Sequence, residues 1–172
     1  MEIERLVLTI ARTTIQAGIP NEEYPVSYLY DSRLTHHIPT HFAMKWKGYE
    51  KLKNSDSKFF DCVSSENKEK KAEGKPIKKG KGLNLCPSRD VGANRKFSQK
   101  NLDDCFEINS YYFLYETVEH TDLTLTFHIY WVPVHTIKEW YDTHGRNGTI
   151  SYNNIKACIT ECEILQTLET RD

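Results

Sequence analysis

No apolar run in this chain approaches the roughly 18 residues that a membrane-spanning helix needs, so no membrane span is expected. The opening Met1-Glu2-Ile3-Glu4-Arg5 lacks the basic-then-apolar order of a signal peptide, and an intracellular protein is expected. There is no Cys-x-x-Cys. The five cysteines are odd in number, which argues against a secreted disulfide framework and for buried free thiols. Cys158 and Cys162 share a spacing of four, but nothing nearby completes a zinc site. No G-x-x-x-x-G-K-[ST] loop is present either. No repeat and no compositional break divides the chain, so a single domain over residues 1–172 is expected.

What is present is a soluble, globular composition on the polar side: 38% hydrophobic and 27% charged. Aromatics at 12%, including 10 Tyr and 3 Trp, oppose disorder throughout. The net charge of −1 hides a division. Residues 1–100 carry 19 Lys/Arg against 12 Asp/Glu, whereas residues 101–172 carry 4 against 12. Between Lys45 and Lys100 there are 16 basic and 7 acidic residues. Such a division suits either a basic face for a polyanion or two halves that neutralise each other across the fold.

Periodicity gives a coarse element order. Residues 2–17 suit an amphipathic helix, with Ile3, Leu6, Ile10 and Thr14 along one face and Gly18 and Pro20 as a stop. Val26–Tyr30 suits a short strand. Over 41–53, Phe42, Trp46 and Tyr49 fit a helix face. The local alternation fits a strand nearly as well, and the reading favours an extended segment followed by a turn. Lys58–Val63, aromatic and β-branched, predicts a strand. Lys68–Lys81 holds seven Lys, two Glu, two Gly and one Pro, which predicts a loop continuing to residue 100. Ser110–Val118 and Asp122–Val132 predict a strand hairpin, the second with Leu123, Leu125, Phe127, Ile129 and Trp131 on one face. Val134–Asp142 and Tyr152–Leu168 predict helices, separated by a turn at 145–148. The sum is an α/β domain, a mixed central sheet flanked by helices, with a Lys-rich loop at about 66–100.

Three sets of residues could carry chemistry. Asp56, Asp61, Glu66 and Lys68 lie close together, and paired carboxylates hold a hard cation such as Mg²⁺ while a lysine orients water. Lys75, Lys78, Lys79, Lys81, Arg89, Arg95 and Lys96, with glycines between them, suit phosphate contacts, although a solubilising loop would have a similar composition. His36, His37 and His41 place three imidazoles within six residues, enough for zinc or for one general base, although Pro39 opposes a helix there.

Phe60-Asp61-Cys62-Val63-Ser64-Ser65 resembles the core strand of the PD-(D/E)xK nucleases, the restriction endonuclease superfamily. Their motif is an acid, one residue and a lysine on a strand, with another acid upstream. The later order of basic loop, strand, strand ending in Trp-Val-Pro and helix is also similar to small type II restriction enzymes, over roughly residues 50–145. Val63 stands where the family has lysine. Glu66-Asn67-Lys68, with Asp56 as the upstream acid, does satisfy acid-x-Lys. The resemblance implies a Mg²⁺-dependent endonuclease acting on double-stranded DNA as a homodimer. Asp61, Glu66 and Lys68 would be catalytic, and Asp56 and Asp61 would hold the metal. Val63 favours a second reading, a non-enzymatic nucleic-acid-binding or inhibitory protein using residues 68–100. A third makes the acidic C-terminal half a protein-contact surface.

Overall fold

A computed structural model describes residues 2–11, 34–51, 59–87, 96–121 and 124–171. The expected strand at Val26–Tyr30, as well as Leu123, Asp56, Arg89 and Arg95, lies outside the described residues. Those described form an α/β structure: a mixed sheet with helices on both faces. No helix among them is long and apolar enough to cross a membrane.

The chain opens with a strand, β1 (Glu2–Ala11), where a helix was expected. The spacing of Ile3, Leu6 and Ile10 mimics a helix face, but Leu6, Leu8 and Ile10 also alternate, and all three are buried on one side of the sheet. Ile3, out of phase with them, is buried in the core on the opposite side. Helix α1 (Leu34–Lys47) replaces the extended segment expected from 41. Ile38 and Ala43 are buried, and Pro39 is accommodated inside the helix. Gly48 then ends the helix in the left-handed region, φ 66°.

Three antiparallel strands follow: β2 (Tyr49–Lys51), β3 (Cys62–Ser64) and β4 (Lys71–Lys78). The strand expected at 58–63 is therefore shifted toward the C-terminus. The expected Lys-rich loop contains an eight-residue strand near the middle of the sheet. In β4, Ala72 is buried on one face and Glu73, Lys75 and Ile77 on the other. Strand β5 (Gly82–Asn84) and helix α2 (Gln99–Ile108) fall in and after the stretch read as loop. Ser98 caps α2 by accepting from the Asn101 N–H.

The hairpin of β6 (Tyr111–His120) and β7 (Thr124–Pro133) is present close to its expected limits. Helix α3 (Val134–His144) follows. The expected turn is a small hairpin of β8 (Gly145–Arg146) and β9 (Thr149–Ile150), with Asn147 and Gly148 both at positive φ. Helix α4 (Tyr152–Glu161) stops seven residues before its expected end at Leu168. The chain then turns into β10 (Glu163–Arg171), parallel to β1. Pairing with the open edge of β1 overrides the helical spacing of Ile159, Cys162 and Leu165.

The sheet runs β10-β1-β7-β6-β4-β5-β9-β8, with β2 and β3 joined to β4. Strands β4 and β6 are parallel, linked by a crossover through α2, and β6–β7 and β7–β1 are antiparallel. One face packs α1 over Phe113, Tyr115, Phe127, Ile129 and Trp131. Tyr111 and Phe113 stack on Trp131 at centroid distances of 5.4 and 6.0 Å. The other face packs α2, α3 and α4 over Ile77, Tyr112, Leu114, Tyr130 and Val132. Cys62, Cys86, Cys105 and Cys158 are buried and Cys162 is half-buried, and none of the five is in a disulfide.

Candidate active site

The sheet divides at β4. Along one side β4 keeps β6 for its length from Ala72 to Pro76. Along the other, β3 pairs as far as Cys62–Ala72, and β5 begins only at Ile77–Leu83. Residues 73–76 therefore have no strand partner on that side among the described residues. An open backbone edge in mid-sheet leaves donors to be satisfied by something else.

Asp61 supplies that group. Its N–H donates to the Ala72 carbonyl at 2.9 Å, so Asp61 and its neighbour Cys62 both lie against Ala72 at the end of the β3–β4 pairing. Its carboxylate Oδ2 accepts from the Gly74 N–H at 2.8 Å. The approach to Asp61 is itself held: the Asn109 Nδ2 donates to the Phe59 carbonyl at 2.6 Å and to the Cys105 carbonyl at 2.9 Å. Gly74 is needed where it stands. A Cβ there would lie 2.3 Å from the Phe113 ring and 3.2 Å from Asp61 Oδ2.

Glu73 and Lys75, two apart on a strand, share a face. Both are buried, at 7% and 8% exposure, on a face otherwise lined with apolar side chains. They pair at 2.8 Å, and Lys75 Nζ also donates to the Cys86 carbonyl at 2.9 Å. Burial pushes the Glu73 carboxyl up to about 7, with the Asp61 charge adding to the rise and Lys75 opposing it. Asp61 is also raised. Solvent reaches it, but dense protein around it is the main cause, opposed by the Gly74 N–H and then by Lys75 and Lys51. Both carboxyls also act on Tyr112, whose buried hydroxyl has no hydrogen-bond partner among the described residues. The outcome is two acids on adjacent strands, each harder to ionise than usual, and one lysine fixed by two acceptors.

The expected site residues are distributed differently. Asp61 is in this cluster. Glu66 and Lys68 are exposed in the turn between β3 and β4, beyond the far end of β3 from Asp61, and Lys68 pairs with Glu50. Val63 is buried opposite Lys71, away from the cluster. Lys75, expected to track a polyanion, is instead buried against Glu73. Lys78, Lys79 and Lys81 are exposed at the β4–β5 turn, as is Lys96 before α2. Glu73 was not singled out from sequence. The signal was present as a later acid-x-Lys, Glu73-Gly74-Lys75, twelve residues after Asp61.

Just past Lys75, a hollow of about 230 Å³ is lined by Pro76, Lys78, Lys79, His36 and Tyr115. His36 Nδ1 lies 3.0 Å from the Tyr115 hydroxyl. Burial, then Lys78 and His37, holds the His36 imidazole below its ordinary value. The three histidines of α1 do not converge: among the described residues no group of three or more His, Cys, Asp or Glu could hold a metal ion. No family model, curated protein or solved structure matches the chain.

Proposed function

We propose that the chain is a metal-dependent endonuclease of the PD-(D/E)xK type, hydrolysing phosphodiester bonds in double-stranded DNA, with Asp61, Glu73 and Lys75 as its site. The observation that carries this reading is the Asp61 carboxylate held on the N–H of Gly74, the residue between the paired Glu73 and Lys75, at the open edge of β4. This is an acid, one residue and a lysine on a strand, with a second acid upstream. It sits one strand later than the sequence-based reading located it.

The donor set fits a hard divalent cation such as Mg²⁺. Burial raises both carboxyls, and the Asp61 charge adds to the rise at Glu73, so a bound cation would favour their ionised forms. Two protein oxygen ligands suit Mg²⁺, which retains waters and completes its shell with substrate phosphate. When bound, such an ion stabilises charge on the phosphate and acidifies a water. Asp61 and Glu73 would hold it. Asp61 is oriented by the Gly74 N–H and Glu73 by Lys75. Lys75, anchored by the Cys86 carbonyl, would orient the attacking water and balance the charge of Glu73. Cutting both strands calls for two such sites, hence a homodimer.

The test is incubation with mixed-sequence duplex DNA at low salt, with Mg²⁺ and with EDTA. Mg²⁺-dependent products are expected from the wild type. Asp61→Asn, Glu73→Gln and Lys75→Met should each lower the rate by about a hundredfold or more. Cleavage that survives Glu73→Gln in a folded protein would overturn the assignment. A gel shift without cutting would instead support the non-enzymatic reading.

A further inference from the structure

A second hollow, of about 710 Å³, lies on the other side of the β4–β5 turn. Lys79, Lys81, His144, Arg146, Thr149 and Asn153 line it, and among the described residues no carboxylate does. Among the described residues none of Lys79, Lys81, His144 and Arg146 has a carboxylate partner. The contrast with other cations is informative. Of the four basic residues in the acidic stretch 101–172, Lys138 is paired with Asp142 and Lys156 with Glu116. Arg146 is left open, and it lies beside lysines from the basic half of the chain.

The hollow is also built rigidly. At Gly82, φ 75°, a Cβ would lie 2.1 Å from the Ile150 carbonyl oxygen and 2.8 Å from the Tyr152 nitrogen. The lysine turn is thus pressed directly against the start of α4. Strand β5 pairs with β9 through Leu83–Ile150 and Asn84–Thr149. The Leu85 N–H donates to the Gly148 carbonyl at 2.8 Å, and the Gly148 N–H to the Tyr141 hydroxyl at 3.0 Å. Arg146, opposite Thr149 in the β8–β9 hairpin, is therefore carried on the same frame as Lys79 and Lys81.

We propose that this hollow binds the phosphate backbone of duplex DNA, outside the cluster of Asp61, Glu73 and Lys75, with Lys79, Lys81 and Arg146 as the contacts. Cations with no carboxylate partner among the described residues, on a pre-set frame and beside polar donors, suit successive phosphates, because binding releases the polyanion's counterions. The inference rests on the endonuclease reading for its choice of polyanion. Lys79 lines both this hollow and the smaller one beside Pro76 and Tyr115, so the basic turn joins the two.

The test compares wild type, the triple variant Lys79→Gln/Lys81→Gln/Arg146→Gln and the control Lys138→Gln. Affinity for a short fluorescein-labelled duplex is read by anisotropy, in EDTA, across a range of salt. Thermal midpoints verify that each variant is folded. The triple variant should bind about tenfold or more weakly, and its log-affinity against log-salt slope should fall by about two to three. Lys138→Gln should match the wild type. Unchanged affinity and slope in a folded triple variant would overturn the hollow and leave the endonuclease reading standing. Weakened binding with no cutting by any form would support the hollow while ending the endonuclease reading. A wild type that neither binds nor cuts duplex DNA would end both.

Discussion

Raising the pH of the metal-free protein from about 4.5 to about 7 should cost stability at Glu73. The carboxyl sits at about 7 in the fold against an ordinary 4.5. Within that window the folded chain holds a proton that the unfolded chain has released. The contribution is complete below the unfolded value and is lost as pH rises through the folded one. At about 1.4 kcal/mol per pH unit, the loss amounts to about 3 kcal/mol. For a chain of this length that corresponds to roughly 10 °C in the unfolding midpoint. His36 and His128 act oppositely, because burial lowers both imidazoles and their contribution grows as pH rises. Asp61, raised like Glu73, adds to the loss. The two histidines are shared with a Glu73→Gln variant, so the difference between wild type and variant reports Glu73 together with its coupling to Asp61. Thermal unfolding in EDTA should show the wild type losing ground to the variant between pH 4.5 and 7.5. At pH 8, Mg²⁺ should restore the wild type and leave the variant unmoved, because a ligand stabilises only the state that binds it. Parallel midpoint curves for the two proteins in EDTA would refute the reasoning.

Three substitutions test the frame around the site. Gly74→Ala places a methyl group 2.3 Å from the Phe113 ring. It should cost about 1–3 kcal/mol in urea unfolding and lower the cleavage rate, since the ring can yield only by shifting β4 or its stack with Trp131. Asn109→Ala removes the donor to the Phe59 carbonyl. It should cost about 1–3 kcal/mol, and should reduce kcat more than DNA affinity if Asn109 acts by positioning Asp61. Lys68→Ala removes an exposed pair with Glu50. Its effect should stay within about 0.5 kcal/mol, since both side chains are more than half exposed and screened by solvent. Cleavage should be unchanged, the opposite of the expectation that Glu66-Asn67-Lys68 supplies the catalytic lysine.

What could be read in advance was local. The β6–β7 hairpin has its alternation and turn within one stretch of sequence, and Val134–His144 has a helical apolar face behind a proline. What was misread depends on distant partners. Strand β1 is a strand because β7 and β10 flank it, and β10 is a strand because β1 offers an edge. The segment 163–171 lies more than 150 residues from its partner, and its spacing continues that of α4 without interruption. Periodicity within a window cannot register such a pairing.

The misreading of β4 has a different origin, and it bears on function. Seven lysines in fourteen residues argue for solvent, because isolated charges are rarely buried. The rule holds for Lys78, Lys79 and Lys81, which are exposed, and fails at Lys75, where Glu73 supplies the counter-charge two residues away. A strand that buries an acid and a base at i and i+2, with glycine between them, retains alternation that hydrophobicity alone does not reveal. The pair is poor structure in its own right: Glu73 is forced up to about 7, and apolar side chains in its place would pack with less penalty. Acid-x-Lys occurs three times after Asp61, beginning at Glu66, Glu69 and Glu73. Only the third also alternates as a strand, with Ala72 and Gly74 turned one way and Glu73, Lys75 and Ile77 the other. Strand alternation on both sides of the motif, tested before composition, separates that occurrence from the two in the turn.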